Sequence, residues 1–580
     1  SRLEVSTISP LTGHLGIANV GGYFGPALRR AGFDAVVIRG KAEEPVYLWI
    51  DGGRAEIRDA SHLWGRYDIW EFEEVIKQDL GEDVKALSIG PAGENLVRYA
   101  TLTTDKVHTA ARCGVGTVFG SKNLKAVVAR GSAKVPVARP EEFLERVREV
   151  GRWILEDDGL EPTVRWGTLP RLRPALEFGY LPGRNFQTGY FPNFDETRGF
   201  AAARKYIAPS IAPCHACPIR CYNHIRVKEG PYAGLDLLGG YTTILSEFAA
   251  KCDIGNLPAV WKCEELSQRY GLDCISVASC IAFAQELYQR GIITKTDTDG
   301  LELRWGNERA VMELLRKIAY REGFGDVLAD GVIRAAARLG RGSEAYAYTI
   351  KGMEISSCDP RSGPWFWRIG YITSPRGGDN VKTTHRGEGA PSAAEIKEKY
   401  GISEDEYHKR FVDRIDMPSA VKEKVYGNPP RISADKLEGK VHMTKWFEEL
   451  SALQDALGVC KFGNSRVNLG ATHYSRLLSA LTGVDRSPEE LLLVGERIFN
   501  LQRVFLGWRG FSRKDDNWPE RFYREPLPEG PGKGLVLSHD VIDRILDEYY
   551  ELRGWDKITG LPTEDKLKEL GLDKEMSVWP

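Results

Sequence analysis

From Leu3 to about Val135 the chain runs in short apolar stretches separated by glycine, among them Ala35-Val36-Val37-Ile38-Arg39-Gly40, Val46-Tyr47-Leu48-Trp49-Ile50 and Leu124-Lys125-Ala126-Val127-Val128-Ala129. Short runs rich in β-branched and aromatic side chains, closed by turn residues, predict strands. After Pro136 and Pro140 the period changes. Pro140-Glu141-Glu142-Phe143-Leu144 reads as a helix start, with proline in the first turn and two carboxylates facing the positive end of the helix dipole. Apolar residues then recur every three or four positions from Trp261 to Arg290 and from Asn307 to Leu339, where Gly340 is placed as a C-terminal stop. Near residue 347 glycine and proline become denser, as in Asp359-Pro360-Arg361-Ser362-Gly363-Pro364. A charged helical stretch from Ser392 to Lys424 and helices over Leu491 to Val504 and Asp540 to Leu552 follow. There is no repeat of fixed period and no low-complexity tract. The pattern predicts an α+β protein, with a β-rich domain over 1–136 and two mainly α-helical domains over 137–347 and 348–580.

Composition narrows the function. A chain of 580 residues has room for a large buried core. The formal charge of −2 provides no field for nucleic acid or an anionic membrane. The longest apolar stretch, Cys274 to Ala284, is far shorter than the roughly 18 residues that span a bilayer, so no membrane span is expected. The chain opens Ser1-Arg2-Leu3-Glu4-Val5 without an initiator Met or a signal-peptide pattern, and native sequence is expected to precede it. Ten cysteines in so long a chain are too sparse for a secreted disulfide framework, which points to the cytoplasm.

Three cysteines nevertheless fall together. Cys214-His215-Ala216-Cys217-Pro218-Ile219-Arg220-Cys221 has the spacing C-x-x-C-x-x-x-C, which lets one tight loop turn three thiolates toward a common centre. Such a loop can hold three corners of an iron-sulfur cube, the fourth ligand arriving from elsewhere. A structural zinc site is the other reading, although zinc more often uses paired C-x-x-C halves. The first predicts electron transfer and the second only folding energy.

Together with this loop, Ser9-Pro10-Leu11-Thr12-Gly13, Asn19-Val20-Gly21-Gly22-Tyr23-Phe24-Gly25, Gly120-Ser121-Lys122-Asn123-Leu124-Lys125-Ala126, Gly271-Leu272-Asp273, Lys351-Gly352-Met353-Glu354-Ile355 and Asp455-Ala456-Leu457-Gly458-Val459-Cys460-Lys461-Phe462 resemble the aldehyde:ferredoxin oxidoreductase family, in the family's order and over nearly the whole chain. The resemblance implies a tungsten bis-pterin cofactor, molybdenum being the alternative metal, beside one [4Fe-4S] cluster. It supplies Cys460 as the fourth cluster ligand and a β-domain that forms a base for the cofactor. It also implies that a stretch of the family's N-terminal sequence is missing before Ser1, the break falling just before Arg2, which stands where the family has a pterin-contacting arginine.

A pterin carrying a dithiolene and a phosphate needs cations or backbone amides at one end and carboxylates at the other. Asp273 and Asp455, beside the glycines Gly271 and Gly458 and with Leu272 completing the first signature, suit the ring's N–H donors. Arg2, Arg112 and the glycine-rich segments containing Asn19, Gly21, Gly22 and Gly114 suit the phosphates and a magnesium ion bridging them. Gln268 replaces the Asp with which the family opens its first pterin signature.

Two departures bear on the chemistry. Where family members carry a carboxylate in a P-E-Y-E segment near the metal, this chain has Gly239-Gly240-Tyr241-Thr242-Thr243, so the base is lost or moved. His385, after Arg376-Gly377-Gly378-Asp379-Asn380, is nominated as the proton shuttle, and Glu247 as a replacement carboxylate. Cys274 could ligate a soft metal, as in the related class II benzoyl-CoA reductases, or be a small core residue. The resemblance implies oxidation of an aldehyde to a carboxylic acid, with electrons passed through the cluster to ferredoxin or a small iron-sulfur subunit, in an oligomer. A benzoyl-CoA reductase-like catalytic subunit acting on an activated acid, and a non-catalytic electron-transfer subunit, are the alternatives.

Overall fold

The strand β8 (Leu124–Arg130) explains the N-terminal architecture, because its apolar run is buried on both faces of a six-stranded sheet. The computed structural model describes residues 2–208, 214–385 and 391–576. Before β8 come β1 (Leu3–Ile8), β2 (Leu15–Val20), β3 (Val46–Asp51), β4 (Arg54–Asp59), β5 (Lys85–Ser88), β6 (Leu102–Thr104) and β7 (His108–Ala110). The sheet order is β4-β3-β8-β5-β6-β7, with β3 and β8 parallel and the other pairs antiparallel. Val127 and Ala129 enter one core with Ile50, Leu87 and Phe24, whereas Ala126 and Val128 enter the other with Trp49, Phe72 and Ile76. The two-residue period thus serves two layers. At the edge, β4 exposes Arg54, Glu56 and Asp59, charges that disfavour pairing with another chain. A separate hairpin joins β1 to β2, Leu3 opposite Val20.

The Ala35 to Gly40 run is not a strand. Val36 and Ile38 pack on the core and Val37 faces solvent, which is strand alternation, but among the described residues no strand pairs with the run.

The chain divides into two compact units, one comprising 1–135, 162–359 and 527–534, the other 136–161, 360–526 and 535–580. In the first unit the periodic stretch from Trp261 to Arg290 is two helices, Leu257–Tyr270 and Cys274–Gln289, broken where Gly271 turns left-handed at φ +73°. The Asn307 to Leu339 stretch is likewise three helices, Glu308–Tyr320, Phe324–Leu328 and Val332–Leu339, ended by Gly340. In the second unit the charged stretch after Ser392 forms Ala393–Tyr400, Glu404–Asp413 and Ser419–Tyr426, the first two capped by Ser392 and Ser403. Longer helices there, Lys440–Ala456, Pro488–Trp508 and His539–Arg553, carry the second predicted signature and its support. An N-terminal sheet followed by a mainly helical remainder is the α+β class predicted from the sequence. Among the described residues no helix is long and apolar enough to cross a membrane.

Candidate functional site

Cys214, Cys217 and Cys221 are half-buried thiols on one loop. The loop curls through left-handed Ala216 and Arg220, and the Cys217 amide donates to the Cys214 carbonyl at 3.0 Å. It rests on the end of β2, where the His215 amide donates to the Gly22 carbonyl at 3.3 Å. Both glycines there are required by close approach. A Cβ on Gly21 would lie 2.7 Å from Cys214 Sγ, 3.4 Å from His108 Cδ2 and 3.6 Å from Arg2 Cζ. Gly22, at φ +88°, would place one 2.5 Å from Asp105, whose carboxylate accepts the Tyr23 amide at 2.8 Å. The sequence therefore brings Arg2, Gly21, Gly22 and Cys214 together as predicted site residues, and adds His108. Burial pushes His108 down to about 4, with Arg2 acting in the same direction, so the ring is neutral. Asn19 faces its cross-strand partner Glu4, to which its amide donates at 3.1 Å.

Gly271-Leu272-Asp273 is tied to the sheet domain, with the Thr101 amide donating to the Gly271 carbonyl at 2.9 Å and the Asp273 amide to the Tyr99 carbonyl at 3.2 Å. Asp273 caps the helix Cys274–Gln289 by accepting from the Ile275 amide. Its other oxygen lies 3.4 Å from Arg112 Nε, both side chains being almost wholly buried. Arg112 also donates to the Glu354 carbonyl. The Ser276 hydroxyl sits 2.8 Å from both Asp273 and Glu354 but has one proton to give. Burial raises the Glu354 carboxyl, which can supply the second proton. Arg112, Cys113 and Gly114 are left-handed in succession, and a Cβ on Gly114 would fall 1.9 Å from the Arg98 carbonyl oxygen. Arg112 and Asp273, read separately as phosphate and ring contacts, here meet each other.

The altered segment at Gly239–Gly240 is gripped by one helix face. Gln268 donates to the Leu238 carbonyl at 3.1 Å, which is the use this chain makes of the residue replacing the family's Asp. One turn earlier, both Glu264 oxygens accept the Gly240 amide, at 3.1 and 3.0 Å. A Cβ on Gly239 would lie 2.1 Å from Glu264, so the glycine makes room for this carboxyl. Burial pushes Glu264 up to about 8, against the Gly240 amide. Sequence reasoning missed it because its partner is 24 residues away.

Glu247, nominated as a replacement carboxylate, is an interior group. It lies in the π-helical segment Leu245–Lys251, fully buried, ion-paired to Lys251 and accepting from the Ser357 amide and hydroxyl at 2.7 and 3.1 Å. Cys274 occupies the first turn of its helix, where burial and then the charges of Asp273, Glu247 and Glu264 push the thiol well up, against Arg112.

In the second unit Asp455 ends the helix Lys440–Ala456. Burial opposes its ionisation, but Lys382 and Lys461, the latter at 3.2 Å, hold its carboxyl well below the usual range. Gly458 is left-handed at φ +64°, and Cys460, a half-buried thiol, accepts the Gly463 amide on its carbonyl at 2.9 Å. His385 is buried between two rings, stacked on Phe447 at 4.7 Å and tilted against Phe366 at 4.4 Å.

The donor set beside the loop fits an iron-sulfur group and an anionic cofactor. Three thiols share one turn, an arginine stands beside the first, glycines leave open the space a Cβ would fill, and neither ring nitrogen of buried His108 has a partner among the described residues.

Comparison with known proteins identifies the family. The model of the aldehyde ferredoxin oxidoreductase N-terminal domain matches residues 1–131, and that of domains 2 and 3 matches 145–572. The tungsten-containing aldehyde ferredoxin oxidoreductase of Pyrococcus furiosus is 39% identical over 98% of this chain and 87% of its own length. The WOR-like subunit of the aliphatic sulfonate oxidoreductase of the same organism is 30% identical over 94% of this chain and 82% of its own. Among solved structures, the active site complex BamBC of benzoyl coenzyme A reductase with 1,5-dienoyl-CoA is similar at TM-score 0.84 and 28% identity, covering 99% of this chain and 86% of that one. These matches span both ends of the chain and every predicted signature, and the chain belongs to the aldehyde ferredoxin oxidoreductase family of oxidoreductases.

Proposed function

We propose that this protein is a tungsten bis-pterin oxidoreductase that converts an aldehyde to a carboxylic acid and passes the electrons through one [4Fe-4S] cluster to ferredoxin. The observation that carries the reading is 39% identity over 98% of the chain to a relative named for this activity, against 28% to the acyl-CoA enzyme. In this reading Cys214, Cys217 and Cys221 hold the cluster with Cys460 as fourth ligand. Arg2 and Arg112 neutralise pterin phosphates, with the backbone around Asn19, Gly21, Gly22 and Gly114 receiving them and a bridging magnesium ion. Asp273 and Asp455 orient the pterin rings, supported by the turns at Gly271-Leu272 and Gly458.

Bound there, the cofactor supplies two-electron oxidation and reduction at the metal. The chain's own residues position and protonate. Lys382 and Lys461 keep Asp455 an anion, hence an acceptor for ring N–H donors. His385, in its aromatic slot, is the proposed proton carrier, its ring shielded from water by Phe366 and Phe447. Glu247, paired to Lys251 and holding the Ser357 turn, is the proposed replacement carboxylate.

The test is an anaerobic assay of the holoenzyme with benzyl viologen against aliphatic and aromatic aldehydes, run beside reduction of an aromatic acyl-CoA and metal analysis. Aldehyde turnover with tungsten or molybdenum present supports the reading. Turnover of the thioester alone would reverse it in favour of the BamBC likeness, and iron without tungsten or molybdenum would make the protein an electron-transfer subunit.

A further inference from the structure

His108 lies on β7 with 2% of its surface exposed, and neither Nδ1 nor Nε2 has a hydrogen-bond partner among the described residues. Leaving a buried polar group unsatisfied is costly, so such a group needs a reason. Its surroundings supply one. The ring carbon next to Nε2, Cδ2, lies 3.4 Å from the point a Gly21 Cβ would occupy, and Cys214 Sγ lies 2.7 Å from the same point. The edge of the imidazole and the first thiol of the loop therefore border one small volume. The ring plane is held as well, stacked at 4.6 Å and 10° on Tyr222, the residue after Cys221. Tyr222 is in turn fixed edge-on by Tyr241 at 4.9 Å. His108 is thus held between the Gly21–Gly22 turn, which borders Cys214, and the ring of Tyr222, the residue after Cys221.

We propose that His108 donates its Nε2–H to a sulfur of the iron-sulfur cluster bound by the Cys214 loop and thereby raises the cluster's reduction potential. The inference rests on the cluster reading above and adds a residue outside the cysteine ligands. The direction follows from charge, because an N–H pointed at a cluster sulfur favours the more negative, reduced state. His215, inside the loop, is the competing imidazole. Its Nε2 lies 3.4 Å from the Arg30 guanidinium and its ring keeps some exposure, so it sits at the outer side of the loop.

The experiment uses holoenzyme carrying 15N-imidazole histidine, reduced and examined by pulsed EPR, with redox titration of H108F, H108Q and H215F. The expected result is an imidazole nitrogen coupling in the parent and in H215F that is lost in H108F. The H108F cluster should titrate at a more negative potential, with H108Q, which keeps an N–H donor, between it and the parent. An iron-replete parent without the coupling overturns the proposal, as does a coupling that survives in H108F or disappears in H215F. If H108F fails to retain iron, the labelled parent, H108Q and H215F decide by the same criteria. A parent that binds no iron at all removes the cluster reading itself, a result distinct from an iron-replete parent lacking the coupling.

Discussion

Lys251 and Glu247 stand one turn apart in a π-helical segment, and neither side chain has any surface open to solvent. Each partner is anchored further. Lys251 also donates to the Ser279 hydroxyl and the Ile355 carbonyl, both at 2.9 Å, and Glu247 takes two bonds from Ser357, which sits at φ +40°. This buried ion pair ties its π-helical segment to the Ser279 helix and to the Ile355–Ser357 stretch.

Breaking one side of this pair strands a charge in the interior. Lys251→Met is expected to cost about 3–5 kcal/mol in denaturant unfolding, whereas the double variant Lys251→Met with Glu247→Gln recovers part of the loss. A double variant no more stable than Lys251→Met alone would show that the two residues act independently.

Glu264 predicts a pH dependence of opposite sense to that of a salt-bridged carboxylate. Its carboxyl goes from an ordinary value of 4.5 to about 8 on burial. The unfolded chain therefore releases this proton first, and stability falls as pH rises across that window, by about 1.4 kcal/mol per pH unit at most. Glu264→Gln should flatten the decline in melting temperature between these limits while keeping the acceptor for the Gly240 amide. Parallel pH profiles for parent and variant would refute the assignment.

What the sequence made legible divides along contact range. The thiol spacing, the apolar run of β8 and the helix stop at Gly340 are local patterns, and each is found where its pattern lies. The helix break at Gly271 was hidden because Leu272 is itself buried and continues the apolar period across the turn. The Ala35 to Ile38 run carries strand alternation without a strand beside it, and pairing is not written in a strand's own sequence. His108 beside Cys214, Glu264 beneath Gly239 and Lys382 on Asp455 each join residues dozens of positions apart. No spacing rule announces such contacts, and they surface only once the chain has packed.

The Arg112–Asp273 pair separates a structural from a cofactor role. Asp273→Ala removes a helix cap worth about 1 kcal/mol and takes the carboxylate away from a buried guanidinium, so it should destabilise the protein more than Asp273→Asn. If Asp273 also orients a pterin ring, both variants should lower tungsten content while iron stays near the parent's. Unchanged tungsten occupancy in both would confine Asp273 to capping and ion pairing.

Gly21 offers the sharpest test of the thiol loop, because its reason for being glycine is space alone. Its φ is not in the left-handed region, so alanine fits the backbone, and the loss of unfolded-chain freedom should stabilise the protein by a few tenths to about 1 kcal/mol. The new methyl, however, would lie 2.7 Å from Cys214 Sγ, well inside a normal contact of roughly 3.5–4 Å. The residue before it, Val20, is buried and paired with Leu3 at the end of β2, so the strand resists moving and the thiol must give way. Gly21→Ala should therefore fold at least as well as the parent and bind less iron. Gly22→Ala differs, since φ +88° and an Asp105 oxygen at 2.5 Å penalise the backbone itself, and it should lose stability and iron together. Iron content by elemental analysis, read against the unfolding midpoint of each variant, distinguishes the two patterns. A Gly21→Ala protein with its full complement of iron would mean that Cys214 does not need its present position to hold the metal.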